Sequence, residues 1–316
     1  MTTGAYHIPV LLEASLKGLG VGQRVGSVYA DATFGGGGHS RMMLEQLDAS
    51  SRVFGFDQDP DAVANVPDDN RFQLIPENFR FIRNFLRLEG VRQVDGILAD
   101  LGVSSHQFDE ADRGFSIRGT APLDMRMDPR KGISAQQLVM DSTPKELTRI
   151  FRQYGEINRP DKAAYAIERA RAEMPLKTTA DLMQALKSLA PRGRENKFFA
   201  QVFQALRIEI NDEMGALKAL LESSFDLLPE GGRLVVISYH SLEDRLVKHF
   251  MRSGNFEDEI QRDFKGQSLA PFELMSRKAV VADEEEVQRN PRSRSARLRI
   301  AQRTSVSREA AQPQAV

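Results

Sequence analysis

The sequence predicts an α/β fold, a doubly wound and mostly parallel sheet carrying an inserted all-helical domain, and three observations predict it. Four short β-branched or aromatic runs alternate with helical segments over the first hundred residues, the pattern of parallel strands joined by crossover helices. Each run ends in small, acidic or aromatic residues, at the strand ends where such sheets bind ligands. The alternation stops over residues 108–197, which are charged, helix-forming and without a convincing strand, and then resumes. Residues 1–107 and 198–316 are therefore read as one discontinuous sheet domain, and 108–197 as a helical insertion that recognises substrate.

Residues 27–41 read SVYADATFGGGGHSR, a strand, a turn of four glycines and a helix start, which together suit a nucleoside cofactor. Glycine is needed because a Cβ would hold the ligand off the backbone and because such turns visit positive φ. A helix over 10–19 leads into this strand, placed at 27–33, and a short amphipathic helix over 40–47 follows it. The second strand, 52–57, ends in Asp57-Gln58-Asp59-Pro60, with Pro60 suited to the first turn of a helix. Asp57 stands 20 residues beyond Gly37, the offset at which an acid accepts hydrogen bonds from ribose hydroxyls.

A third strand over 71–75 precedes a helix over 79–88 that begins at Phe79, and a fourth over 94–99 ends in Asp100-Leu101-Gly102. Gly35 to His39, Asp57, Phe79 and Asp100 thus fall at four consecutive strand ends. In the insertion, 143–154, 161–172 and 179–189 have helical periodicity, with Ser142 or Thr143 ahead of Pro144 and Glu146 as a helix start. A long helix over 198–228 returns the chain to a strand over 233–239, which ends at His240 and feeds another helix to about Met251. Residues 254–290 read as polar loop, and 296–303 as a final edge strand.

Composition excludes several chemistries. The chain has no cysteine, so disulfides, thiolate zinc sites and cysteine nucleophiles are ruled out. Its five histidines, His7, His39, His106, His240 and His249, show no metal-binding spacing, and no metal is expected. A net charge of −1 means that a nucleic-acid partner must be held by local patches. No apolar stretch approaches a membrane span and the start of the chain lacks a signal-peptide pattern, so a cytoplasmic location is expected and a membrane partner is not.

Eight blocks, in order, carry a resemblance: TFGGGGHS, FDQDP, ILADLGVSS with His106-Gln107, RGFS, PLDMRMD, FQALRIEIN, SYHSLEDR and NPRSRSARLR. Together they resemble the bacterial 16S ribosomal RNA cytosine-N4 methyltransferase family over essentially the whole chain. The resemblance implies a Rossmann-like class I methyltransferase fold and S-adenosyl-L-methionine as cofactor. It implies cofactor contacts from Gly37, Gly38, His39, Asp57 on the ribose, Phe79 near the adenine, Asp100 and Gln107. It also implies the substrate: one cytidine near the decoding site, in free small-subunit ribosomal RNA or the assembled small subunit. Two positions depart from the pattern. Gln201 stands where an arginine is common, and Tyr239 replaces a usual Phe, a swap that keeps the ring and is expected to matter little.

An exocyclic amine is a weak nucleophile while a sulfonium methyl is strongly activated, so direct in-line displacement without a covalent enzyme intermediate is the expected mechanism. Methylation at carbon 5 of cytosine needs a cysteine adduct and is disfavoured here. Asp100 is the first catalytic candidate, accepting from the amine or from the cofactor's ammonium, and His240 the second, orienting the base or accepting a proton. The target base must be unpaired or flipped out, with the insertion holding the surrounding RNA. Residues 289–308 contain seven arginines and no acid, a candidate phosphate-binding tail.

Bland readings compete with these. His39 and His240 taken singly suit structural roles, Phe79 taken singly suits the core, Asp124, Arg126 and Asp128 suit a local charged turn, and the arginine tail suits a solvated edge strand. Two other function classes stay open: a dinucleotide-dependent oxidoreductase, although GGGGHSR lacks the third glycine of its fingerprint, and a non-catalytic RNA-binding or ribosome assembly factor that retains the fold. The chain is expected to act as a monomer or homodimer.

Overall fold

The computed structural model describes residues 9–311, and His7 lies outside them. The chain forms two compact units, one from the segments up to Gly102 and from Gly215 onward, the other from Val103–Met214. In the first, α1 (Leu12–Leu19), β1 (Val28–Asp31), α2 (Gly38–Gln46), β2 (Arg52–Phe56), β3 (Phe72–Ile75), α3 (Ile82–Leu88) and β4 (Gly96–Asp100) follow in order. The second holds α4 (Ser105–Asp109), α5 (Ala135–Asp141), α6 (Pro144–Tyr154), α7 (Pro160–Glu173), α8 (Thr179–Leu186) and α9 (Glu195–Asn211). Then α10 (Glu213–Leu227), β5 (Arg233–Ser238), α11 (Ser241–Ser253), β6 (Phe272–Leu274), α12 (Glu284–Arg289) and β7 (Arg297–Arg303) complete the sheet unit.

The seven strands lie in the order β3-β2-β1-β4-β5-β7-β6. The five from β3 to β5 are parallel, and β7 runs antiparallel to both β5 and β6. Parallel strands covered on both faces have no polar side, which is why β2, β4 and β5 read as near-continuous apolar runs. Their alternate residues feed two cores. Ala30, Phe54, Phe56, Ile97, Ala99 and Val236 pack with Leu220, Leu221 and Phe250, while Tyr29, Val53, Leu98, Val235 and Ile237 pack with Leu16, Leu19 and Met43.

The helical unit is defined by its caps. Ser134, Thr143 and Thr178 each close a reciprocal capping box with Gln137, Glu146 and Asp181, which satisfies the free N–H groups of the first helical turn. Its core gathers Leu147, Ile150, Phe151, Ala164 and Ile167 with Phe198, Val202, Phe203 and Leu206. In PLDMRMD, Met125 is fully buried at φ +62, and Asn211 holds the turn by donating to the Met125 carbonyl and accepting from the Met127 N–H. Asp124 pairs with Arg126 and Asp128 with Arg130, so these charges form local turns. Among the described residues, no helix is long and apolar enough to cross a membrane.

Four expectations differ from the structure. The helix expected over 198–228 is two helices, because Asp212 adopts φ +45 and turns its N–H back to the carbonyls of Ile208 and Glu209. The first of these belongs to the helical unit through its apolar face, so that unit spans Val103–Met214 where the sequence suggests 108–197. Residues 254–290 are not all loop but contain β6 and α12. Residues 296–303 form no edge strand, since β7 lies between β5 and β6.

That interior position changes the reading of the arginines. Arg299 is 8% exposed and makes two hydrogen bonds to Asp244, at 2.7 and 3.0 Å. Arg303 lies 4.3 Å over the Phe225 ring and Arg308 pairs with Asp226, whereas Arg294 and Arg297 are exposed. Removing one partner of a buried ion pair strands the other charge. Arg299→Ala should lower the unfolding free energy by about 3 kcal/mol or more in urea titrations, and Arg294→Ala should change it by less than about 0.5 kcal/mol.

Candidate active site

β1 and β4 are hydrogen-bonded neighbours, with Asp31 opposite Leu98. Beyond β1 lie β2 and β3, and beyond β4 lies β5. The strand order therefore reverses between β1 and β4, which opens a crevice at their carboxyl ends. The glycine turn leaves one of these ends and Asp100 terminates the other.

Asp31, which the sequence reading passed over, is buried at the start of the turn. The Ser40 hydroxyl donates to its Oδ2 at 2.7 Å and the Thr33 N–H to its Oδ1 at 3.1 Å, so the carboxylate ties the strand end to the first turn of α2. Gly37 sits at φ +73, its N–H donates to the Phe34 carbonyl at 2.7 Å, and a Cβ there would come within 2.8 Å of the Phe34 ring. At Gly38 a Cβ would meet Pro9 at 2.3 Å. Both glycines are thus demanded by the turn itself. Gly36 differs, because a Cβ added there would meet nothing within 4 Å, which leaves room beside the backbone.

Asp57 is oriented by two backbone donors: Gly35 N–H to Oδ2 at 2.7 Å and Asp59 N–H to Oδ1 at 2.8 Å. Burial pushes its carboxyl up to about 6 against the pull of those hydrogen bonds. Asp31 is likewise raised to about 6 by burial. Asp100 is raised to about 7, first by burial and then by the neighbouring charges of Asp31 and Glu243, while the Tyr239 hydroxyl bonded to it acts the other way. Its side chain keeps about a fifth of its surface open, 22%.

His39 faces that carboxylate. Its Nε2 lies 3.2 Å from the Val10 carbonyl, which assigns the proton to Nε2 and leaves a lone pair on Nδ1. Burial drives its pKa down to about 4, so the ring is neutral near pH 7. Nδ1 stands 4.0 Å from Asp100 Oδ2, and two acceptors therefore face one another across a gap that a ligand N–H group satisfies. Three carboxylates under burial, a neutral histidine acceptor and an open edge at Gly36 suit a cationic ligand with an amino group and a ribose.

The remaining candidates are placed differently. Phe79 begins the 3₁₀ turn Phe79–Phe81 after β3, half-buried against the sheet core. Gln107 belongs to the helical unit, where its amide oxygen accepts from the Ser104 N–H to close the cap of α4. His240 caps α11, with Nδ1 accepting from the Glu243 N–H at 3.4 Å, so its proton sits on Nε2, 3.1 Å from Glu243 Oε1. In that tautomer both ring nitrogens face Glu243, so His240 has a capping role at the start of α11 in the ligand-free protein.

The raised carboxylates have a consequence for stability without ligand. A buried acid whose folded pKa lies above its unfolded value favours the folded state below the unfolded pKa, near 4, and that contribution is lost as pH rises through the folded pKa, here about 7 for Asp100. Asp100→Asn should therefore stabilise the ligand-free protein at pH 8, by on the order of 1 to 3 kcal/mol, with most of the gain gone near pH 4. Urea unfolding at the two pH values measures this, and equal stabilities at pH 8 would contradict it.

The profile of the MraW methylase family matches residues 4–304. The ribosomal RNA small subunit methyltransferase H of Parabacteroides distasonis is 51% identical over 94% of this chain and 97% of its own. The protein of the same name from Flavobacterium johnsoniae is 50% identical over 96% and 99%. A solved rRNA methylase from Streptococcus thermophilus aligns over 95% of this chain and 99% of its own, with 10% identity and a TM-score of 0.41. With the family profile covering nearly its full length and relatives at half identity, this chain belongs to the MraW methylase family.

Proposed function

We propose that the protein transfers a methyl group from S-adenosyl-L-methionine to the exocyclic N4 of a cytidine near the decoding site of small-subunit ribosomal RNA. The observation that carries this reading is the pair of facing acceptors, His39 Nδ1 and Asp100 Oδ2, 4.0 Å apart at the switch point of the sheet. The names of the half-identical relatives supply the substrate class, and the cytidine N4 target follows from the motif resemblance.

The cofactor supplies a methyl on a positively charged sulfur, and the chain's residues supply alignment and charge. Asp57, held by the Gly35 and Asp59 N–H groups, keeps lone pairs for ribose hydroxyls. Asp100 and His39 accept from an ammonium group, and ionised Asp100 adds negative charge where the ligand is cationic. Phe79 lies after β3 for the adenine, and Gln107, at the cap of α4, is the further cofactor contact that the motif resemblance implies. The amine nitrogen would bond to the methyl carbon as the carbon–sulfur bond breaks, the electron pair of that bond would neutralise the sulfur, and one N–H proton would pass to solvent water. Since the chain has no cysteine, no thiolate adduct takes part.

The target base is extruded from its RNA; the helical unit serves as an RNA-recognition element, and the exposed arginines Arg294 and Arg297, with Arg292 beside them, serve as phosphate contacts. Modification of small-subunit ribosomal RNA supports a cytoplasmic location. A non-catalytic assembly factor would bind the same RNA and leave the base unmodified.

Mass-spectrometric mapping of cytidines in small-subunit RNA from cells with and without the protein tests the reading; the N4 methyl should vanish from one cytidine in its absence, and an unchanged map overturns it. Asp100→Ala should abolish transfer of labelled methyl to RNA, and near-normal turnover would remove Asp100 from the mechanism. Replacing Arg292, Arg294 and Arg297 together by Ala should weaken RNA binding, lower the salt slope of log affinity by roughly 2 to 3, and leave cofactor affinity unchanged.

A further inference from the structure

The tyrosine hydroxyl that the sequence suggested would matter little has a partner. β4 and β5 pair in parallel with Asp100 opposite Ile237, so Tyr239, two residues further on, emerges at the same carboxyl rim. Its N–H donates to Glu243 Oε2 at 2.9 Å, and its ring packs against the core beneath the rim. Its hydroxyl donates to Asp100 Oδ1 at 2.7 Å.

We propose that Tyr239 is a positioning residue for the methyl-donor site: its hydroxyl fixes one oxygen of Asp100, turns the other toward His39, and favours the ionised carboxylate. The inference rests on the donor-site reading given above. The groups facing Asp100 are Asp31 of β1, His39 of α2, Tyr239 after β5 and Glu243 of α11. Asp31 and Glu243 are acids that oppose its ionisation, and neutral His39 turns a lone pair toward it. The Tyr239 O–H is a donor, and a hydrogen bond to a charged acceptor stabilises the charged form. The phenol's own pKa is pushed up by burial and by Asp100, so it remains a donor throughout the working pH range. Asp100 is further anchored by its backbone N–H, which donates to Thr33 Oγ1 at 2.6 Å. Rotation of the carboxylate about its side chain is what the tyrosine removes.

The test is calorimetric titration of the purified protein with S-adenosylhomocysteine between pH 5.5 and 9, for the wild type, Tyr239→Phe, Asp100→Asn and the double variant. Phe keeps the ring, and an unchanged melting temperature verifies the fold. Tyr239→Phe should bind about tenfold more weakly at pH 7, with the pH midpoint of binding moved up by about one unit and affinity recovering toward pH 9. In the Asp100→Asn background the same substitution should have no further effect. An unchanged midpoint in Tyr239→Phe, or an equal loss in the Asp100→Asn background, overturns the positioning role while leaving the donor site intact. Failure of the wild type to bind at any pH overturns the donor-site reading and this inference with it.

Discussion

The parallel pairing of β1 with β4 is the constraint on which the site depends. It sets the end of one strand, with Asp31 and the glycine turn, beside the end of another, with Asp100, and it does so at the place where the strand order reverses. Every other feature of the rim elaborates that adjacency. Ser40 ties α2 to Asp31, Asp57 reaches from β2 to the Gly35 N–H, and Tyr239 reaches from the end of β5 to Asp100. The rim is a set of strand ends cross-linked by carboxylates.

Such a cluster is costly to fold. Burial raises all three carboxyls toward neutral pH, which means the sheet holds them in surroundings that disfavour their charge. A protein under selection for stability alone would not gather them. A cation at the rim reverses the balance, since each carboxylate then gains an opposite charge in a region of low dielectric. Stability surrendered without ligand and recovered on binding a cation is what the proposed function predicts of this rim.

Much of this was legible in the sequence where local chemistry and tertiary role coincide. The glycine turn, the four parallel strand ends and the Thr143 cap of α6 depend on residues close in the chain, and all lie where periodicity and capping rules put them. What escaped is long-range. Asp212 breaks a continuous helical pattern with one left-handed residue, and no period reveals that. β6 is three residues long and exists because β7 pairs with it. The arginines of 289–308 look alike in sequence, yet Asp244 and Phe225, far away in the chain, separate the structural Arg299 and Arg303 from the exposed Arg294 and Arg297. For the same reason the sequence alone passes over Asp31 and expects little of the Tyr239 hydroxyl: their partners are Ser40 and Asp100.

The central claim is that the acidic rim between β1 and β4 receives the cationic end of a nucleoside methyl donor. A crystal structure of the protein grown with S-adenosylhomocysteine measures this directly. The account requires the amino group to lie within hydrogen-bonding distance of Asp100 Oδ2 and His39 Nδ1, and the ribose hydroxyls to lie on Asp57. A ligand seated away from the Gly36 edge and these three side chains would contradict it.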